Sequence, residues 1–185
     1  MSDGILAPDV AADDHAQGPA DAQVTLVEYG DYECPHCARA HRIVPILQRE
    51  LGDALRYVFR NFPLQQAHPH AHRAAEAAES VADSAGEAKF WRMHDLIFDN
   101  QHALTMEKLV DYAALVDADP LIVAEDLSSG RMVARVRRDF KSGVRSGVNG
   151  TPTFFVNGRR YDGDWTDVTA FTAALQSLAR SGAHH

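Results

Sequence analysis

The fold is decided by residues 24–37, which read VTLVEYGDYECPHC. The first six of these residues are mostly apolar and β-branched, which favours a strand buried on both faces. Pro35 suits the first position of a helix, where its missing N–H costs nothing, and apolar residues recur at helical spacing up to Leu51. A second strand is predicted at residues 55–60. Strand, helix and strand in this order predict a parallel βαβ unit.

Composition limits the class of protein. The chain has 185 residues, 45% hydrophobic and 24% charged, which suits one globular domain that carries an insertion. The net charge of −8 predicts that nucleic acid is not a partner. No apolar stretch is long enough to span a bilayer, so no membrane insertion is expected. Because the start lacks a signal-peptide pattern, the sequence predicts a cytoplasmic location, or an extracytoplasmic one for a trimmed chain.

The pattern changes twice along the chain. Residues 1–22 show no period and are predicted to be a flexible N-terminal lead. Residues 66–147 are Ala-rich and helical in period, and they are predicted to be an inserted all-helical domain. The ranges 23–65 and 148–182 then form one α/β domain. Its second part contains a strand at residues 153–156 and an Asn157-Gly158 turn, a strong hairpin signal because both positions tolerate positive φ.

The two cysteines of the chain are Cys34 and Cys37, and they open the predicted helix. A helix N-terminus carries partial positive charge and unsatisfied N–H groups, which stabilise a thiolate. We therefore predict that Cys34 is the attacking sulfur and that Cys37, one turn further in, is the resolving one. His36 lies between them and can donate to the Cys34 sulfur or place positive charge near it. A stabilised thiolate makes the corresponding disulfide a stronger oxidant.

A family resemblance rests on these residues together. Glu28 lies six residues before the CPHC motif (Cys34–Cys37), and Gly-Thr-Pro-Thr follows much later at residues 150–153. This arrangement resembles the DsbA-like thiol–disulfide oxidoreductases over residues 22–180. The resemblance implies an α/β, thioredoxin-like fold, with a central mixed sheet flanked by helices and an all-helical insertion. It implies a protein disulfide oxidoreductase that needs no cofactor.

The resemblance also implies a substrate site. Pro152 is expected to be cis and to pack beside the cysteine pair. Thr151 is expected to offer its backbone to an extended substrate peptide, as an added strand. The expected partners are protein or peptide thiols and disulfides and a redox-recycling protein, and the chain is expected to be a monomer. A simpler alternative is that Thr151 and Pro152 only begin a strand.

Glu28 is the remaining candidate site residue. It stands in an otherwise apolar strand, and the resemblance places it beneath the cysteine pair. A carboxyl group buried there could relay a proton to or from Cys37. The alternative is an ion pair with an arginine such as Arg56 or Arg60, and the sequence assigns no specific basic partner.

Other functions stay open at this point. Cys34 and Cys37 could belong to a metal site, but a structural zinc site needs about four ligands and no second cysteine pair exists. A chaperone-type binding module would not need the cysteines, whereas glutathione-conjugating relatives use a serine or a single cysteine. The histidines at residues 68, 70 and 72 are interpreted as a solvated helix start, because alternate residues on a helix diverge by about 200°. Whether the pair oxidises or reduces its substrates is left undecided.

Overall fold

The computed structural model describes residues 4–182 of the chain. The first three residues of the predicted lead therefore lie outside the described residues. Within the described part, the strands are β1 (His15–Gln17), β2 (Val24–Gly30), β3 (Leu55–Asn61), β4 (Thr153–Val156) and β5 (Arg159–Arg160). The helices are α1 (Pro35–Leu51), α2 (Ala71–Ala85), α3 (Glu87–Asp99), α4 (Met106–Leu115), α5 (Pro120–Ser129), α6 (Val133–Arg145) and α7 (Val168–Gly182), with a 3₁₀ turn at Gly52–Ala54.

The chain forms two compact units. Of the described residues, the first comprises 4–29, Arg39–Arg60 and 142–182. The second comprises Gly30–Ala38 and Asn61–Lys141. The predicted boundaries of a lead, an α/β domain and an inserted helical domain stay a prediction.

A five-stranded mixed sheet crosses the first unit in the order β1-β3-β2-β4-β5. Strand β1 is antiparallel to β3, and β2 is antiparallel to β4, with Tyr29 opposite Thr153. Six of the seven residues of β2 are buried, as a strand covered on both faces requires. The predicted thioredoxin-like α/β fold with additional helices is confirmed.

The N-terminal segment differs from the expectation of a lead without regular structure. Residues 15–17 form β1, which pairs with residues 57–59 of β3. Further upstream, Ile5 forms an antiparallel bridge with Arg159 of β5, and the Leu6 N–H donates to the Gly158 carbonyl. One N-terminal segment therefore occupies both outer edges of the sheet.

A buried ion pair secures this segment. The Arg60 guanidinium donates from Nε and Nη2 to the two oxygens of Asp14, each at 2.8 Å, and from Nη1 to the Tyr29 hydroxyl at 2.9 Å. Both charged side chains are almost fully buried, 3% and 4% exposed. Burial of a single charge is costly, and the bidentate geometry with further hydrogen bonds offsets that cost.

The second unit is helical because its sequence carries helix-compatible residues and defined ends. Helix α2 is rich in buried alanines, so α3 and α5 can pack closely against it. Asp119 caps α5, accepting the Leu121 N–H at 2.9 Å, with Pro120 at the first helical position. Gly130 ends α5 in the left-handed conformation, at φ 73°. Both ends of α5 therefore follow from residues with strong conformational preferences.

Turn chemistry closes the hairpin of the first unit. Asn157 and Gly158 have φ values of 48° and 81°, the positive values that the Asn-Gly sequence predicts. Helix α7 follows and buries Phe171 and Leu175. Among residues 4–182, no helix has the combination of length and apolar character that a bilayer crossing requires.

We expect Asp126 to stabilise the helical unit in a pH-dependent way. Its carboxylate accepts two hydrogen bonds from Arg131, at 2.6 and 2.7 Å, and one from the Ser80 hydroxyl at 2.6 Å. The Arg131 bonds lower the pKa of Asp126 below its usual 3.8, and the Ser80 bond adds to this against the opposing effect of burial. The stabilisation is therefore present above about pH 4 and is lost as the pH falls through the folded-state pKa.

Asp126→Asn should lower the free energy of unfolding by about 1–2 kcal/mol at neutral pH, and the difference should shrink in acid. Urea unfolding followed by circular dichroism between about pH 2.5 and 7 measures this. Asp117→Asn is the matched control, because that side chain is 77% exposed and faces Arg92 at 3.4 Å. Equal unfolding free energies for Asp126→Asn and the parent protein at neutral pH would contradict the prediction.

Candidate active site

The two cysteines lie at the start of α1. The Cys34 carbonyl accepts the Ala38 N–H at 3.1 Å, the first hydrogen bond of the helix, so Cys34 occupies the capping position. Cys34 is 4% exposed and Cys37 is fully buried, and no disulfide joins them. Between them, Pro35 and His36 are exposed. Cys34 thus keeps a small exposed fraction and Cys37 has none, and the attacking and resolving roles of the two sulfurs stay a prediction.

Asp31 organises the turn that delivers the motif. Its buried carboxylate accepts the Glu33 N–H at 2.7 Å through Oδ1 and the Leu64 N–H at 2.8 Å through Oδ2. Its backbone N–H points to the Cys37 sulfur, with an N···Sγ distance of 3.4 Å. Its carbonyl accepts the Cys34 N–H at 3.2 Å. One residue therefore contacts both halves of the cysteine pair through its main chain.

The main chain just before the cysteine motif is also held by side chains of the helical unit. The Gln101 amide donates from Nε2 to the carbonyl oxygens of Tyr32 and Cys34, both at 2.9 Å. The Tyr32 hydroxyl shares a hydrogen bond of 2.9 Å with Nδ1 of His94, and its ring stacks at an angle against Phe98. These contacts hold the backbone on the N-terminal side of the motif, and no local sequence pattern predicted them.

His68 belongs to the site, so its interpretation as part of a solvated helix start is wrong. Its Nδ1 lies 2.8 Å from Asp31 Oδ2, and its side chain is 21% exposed. Burial disfavours the charged ring, but the hydrogen bond and charge of Asp31, followed by the charges of Cys34 and Glu33, raise the pKa of His68 above 6.5. His70 is exposed, and His72 is bonded to Glu76 one turn along α2.

Glu28 is buried in β2, as predicted, at 1% exposure. Its Oε2 accepts a hydrogen bond from the Tyr57 hydroxyl of β3 at 2.6 Å. Arg60, one of the two arginines considered as its partner, is engaged by Asp14 instead. Tyr57 was missed because the contact joins two strands, and a tyrosine at a buried strand position reads as ordinary core.

The predicted substrate residues precede β4. The Thr151–Pro152 peptide bond is cis, as is Ala7–Pro8. Both Thr151 and Pro152 are half-buried, and the Thr153 hydroxyl donates to the Gly150 carbonyl at 2.8 Å. Of the predicted site residues, Cys34, His36 and Cys37 lie together in the second unit, and Glu28, Thr151 and Pro152 lie in the first.

Comparison with known proteins identifies the family. The family model described as thioredoxin matches residues 11–176. A solved structure of oxidised BdbD from Bacillus subtilis shares 25% identity with a TM-score of 0.81, over 90% of this chain and 93% of that one. Alpha-DsbA1 from Wolbachia pipientis, at 18% identity, has the same fold, with a TM-score of 0.80 over 94% of each chain. The chain belongs to this thioredoxin family and is a DsbA-like thioredoxin-fold protein.

The curated relatives have a different kind of name. The Na(+)/H(+) antiporter NhaA 1 of Salinispora arenicola is 42% identical over 180 residues, which are 96% of this chain and 27% of the relative. Further relatives, 37% to 44% identical, are named NhaA antiporters as well. The chain thus spans about a quarter of the length of the curated relatives it matches.

These relatives correct the predicted location. The expectation of a cytoplasmic protein rested on the missing signal-peptide pattern at the start of the sequence. A sodium–proton antiporter works in a membrane, so relatives that carry this name over nearly the whole of the chain point away from the cytoplasm. The cytoplasmic prediction is wrong.

We expect Gln101 to be needed for the position of the motif. Gln101→Ala removes two hydrogen bonds to main-chain carbonyls and should lower the free energy of unfolding by about 1–2 kcal/mol. Urea unfolding of the parent protein and the variant measures the difference. His102→Ala, at the exposed neighbouring position, is the control and should leave the stability within about 0.5 kcal/mol of the parent. A loss no larger for Gln101→Ala than for His102→Ala would show that the two Gln101 hydrogen bonds contribute nothing to the free energy of unfolding.

Proposed function

We propose that this chain is a thiol–disulfide oxidoreductase that exchanges disulfides with protein substrates through Cys34 and Cys37. One observation carries the proposal: two cysteines three residues apart begin a helix, with the outer one capping it. The unsatisfied N–H groups of the first turn favour a thiolate on Cys34, and a thiolate is the nucleophile of disulfide exchange. The membership of a thioredoxin family supports the same activity.

The two sulfurs take different parts in the exchange. When the pair is reduced, the Cys34 thiolate attacks a substrate disulfide and forms a mixed disulfide. The Cys37 sulfur then attacks Cys34 and releases the substrate as a dithiol. When the pair is oxidised, the same steps run in reverse and the substrate leaves with a disulfide. The Asp31 N–H, 3.4 Å from Cys37 Sγ, favours negative charge on the inner sulfur as it attacks or leaves.

We assign supporting parts to the other predicted residues. His36, exposed between the cysteines, contributes positive charge beside Cys34. Glu28 accepts or delivers the Cys37 proton, and the Tyr57 hydrogen bond orients its carboxyl group. Thr151 and Pro152 present main chain to an extended substrate segment. A non-catalytic metal-binding or chaperone-type module is the alternative. The chaperone-type module predicts that replacing both cysteines leaves its function intact.

The name of the curated relatives supports a second, narrower proposal about the partner. Proteins called Na(+)/H(+) antiporters contain a segment 42% identical to almost the whole of this chain. We infer that the redox site acts on, or beside, a membrane protein of that kind. The thiol that exchanges with the Cys34–Cys37 pair then belongs to the antiporter or to a protein beside it.

The reduction potential of the pair tests the activity and its direction. Equilibration in glutathione buffers should give a single two-electron transition between the dithiol and the disulfide. A value near the about −120 mV of DsbA means that the protein donates disulfides, and one near the about −270 mV of thioredoxin means that it reduces them. Failure to form an intramolecular disulfide would contradict the proposed function in either direction.

Cysteine variants test the assignment of the two sulfurs. Cys34→Ser should abolish exchange with a peptide disulfide, whereas Cys37→Ser should accumulate mixed disulfides because the resolving thiol is missing. Non-reducing electrophoresis and mass spectrometry of trapped species measure both outcomes. Exchange at the parent rate in Cys34→Ser would sink the assignment. An antiporter among the species trapped by Cys37→Ser in membranes supports the narrower proposal, and its absence among them counts against it.

His36 has a separate test. His36→Ala should raise the pKa of the Cys34 thiol, because a positive group beside the thiolate is lost. The disulfide should become a weaker oxidant by about 15–30 mV, which is roughly a three- to tenfold change in the equilibrium constant. Thiolate absorbance against pH and the glutathione equilibrium measure the two effects. His70→Ala, another exposed histidine, is the control, and an unchanged His36→Ala titration would remove His36 from the mechanism.

A further inference from the structure

The buried Asp31 carboxylate and the half-buried His68 ring contact each other beside the cysteine motif, and neither side chain has a part in the exchange steps above. Asp31 is 1% exposed, and its carboxylate accepts hydrogen bonds from Glu33, Leu64 and His68. A carboxylate buried to this degree requires such partners, because its charge is otherwise costly to bury. The main chain of the same residue touches Cys34 and Cys37, with its N–H 3.4 Å from the Cys37 sulfur.

His68 links this carboxylate to solvent. Its Nδ1 is held by Asp31 at 2.8 Å, and its side chain keeps 21% of its surface exposed. The ring is therefore fixed in orientation and can still exchange a proton with water at Nε2. A neutral or charged imidazole both satisfy the Asp31 bond, so a change of protonation does not need a rearrangement of the site.

We propose that His68 is a positioning residue that takes up a proton when the Cys34–Cys37 disulfide is reduced, so that the oxidising power of the pair rises as the pH falls. This inference rests on the proposed exchange activity and adds a proton acceptor to it. Asp31 is its anchor: it holds the imidazole and, through its main chain, both cysteines.

Oxidation of a dithiol substrate supplies the proton that His68 takes up. The two substrate thiols lose two electrons and two protons and form a disulfide, while the Cys34–Cys37 bond breaks and gains the two electrons. Cys37 receives one proton and becomes a thiol, and Cys34 is released as a thiolate. The second proton enters the His68 ring at Nε2, and the imidazolium formed there offsets the new negative charge on Cys34.

The charges around His68 agree with this balance. Burial of the ring favours its neutral form, but the Asp31 hydrogen bond and charge, then the charges of Cys34 and Glu33, raise its pKa above 6.5. The Cys34 contribution exists only while that sulfur is a thiolate, so it is lost in the disulfide. Asp31, Cys34 and Glu33 are thus the ionisable groups whose charges act on the His68 ring.

The sign of the pH effect follows by linkage. Because reduction raises the pKa of His68, the reduced protein binds more protons than the oxidised protein between the two pKa values. The stabilisation of the Cys34 thiolate by charged His68 is complete below the pKa that His68 has in the oxidised protein. It is lost as the pH rises through the pKa that His68 has in the reduced protein. If His68 only held Asp31 in place, its effect on the redox equilibrium would be the same at every pH.

The test compares the parent protein with His68→Asn in glutathione equilibria between about pH 5.5 and 8.5. Asparagine can still donate to Asp31 from a position near that of Nδ1, but it cannot carry charge. The equilibrium constant for oxidising glutathione should be about fivefold lower in the variant at the acid end. The two proteins should converge at the alkaline end. His70→Asn, whose side chain is exposed, is the matched control and should follow the parent throughout.

Two results would overturn the inference. One is an identical pH profile for His68→Asn and the parent protein, and the other is an offset that does not change with pH. A direct measurement covers the case in which the variant fails to fold: the histidine Cε1 proton resonances of the parent protein, titrated in the oxidised and reduced states. His68 should titrate at a higher pH in the reduced state, and equal midpoints overturn the inference. Failure of the parent protein to form its disulfide instead rejects the underlying exchange activity.

Discussion

The candidate site depends on the hydrogen bonds that the buried Asp31 carboxylate accepts. It gathers hydrogen bonds from its own turn, from the segment after β3 and from His68, and it does so while almost completely buried. Each of these bonds contributes little alone, but a buried acceptor left without them would cost about 1–3 kcal/mol or more. The backbone that carries Cys34 is therefore held in place, because another arrangement would leave the buried Asp31 carboxylate without these hydrogen bonds.

This constraint suits the reversible exchange that is proposed for this helix end. A cysteine pair must hold three covalent states, the dithiol, the mixed disulfide and the disulfide, on nearly the same backbone. The Gln101 amide, bonded to the Tyr32 and Cys34 carbonyls, and the Asp31 turn fix the main chain on the N-terminal side of the motif. The sulfurs can then change partners while the main chain that presents them stays in place.

Local signals made most of the fold predictable, and long-range contacts account for what was missed. The ends of α5 and the Asn157-Gly158 turn follow from single residues with strong conformational preferences. Strand β1 is three residues of His-Ala-Gln without alternation, and only its pairing with β3 makes it a strand. His68 and Asp31 are likewise 37 residues apart, so no local pattern could have predicted their contact.

The N-terminal segment gives the sheet a protection that the strand order alone would not provide. Open sheet edges present unpaired N–H and C=O groups, which can recruit strands from other molecules and begin aggregation. Residues 15–17 cover the edge at β3, and Ile5 and Leu6 cover the hairpin of β4 and β5 at the opposite edge. A strand from another molecule would therefore meet, at both sides of the sheet, backbone groups that the chain's own N-terminal segment already occupies.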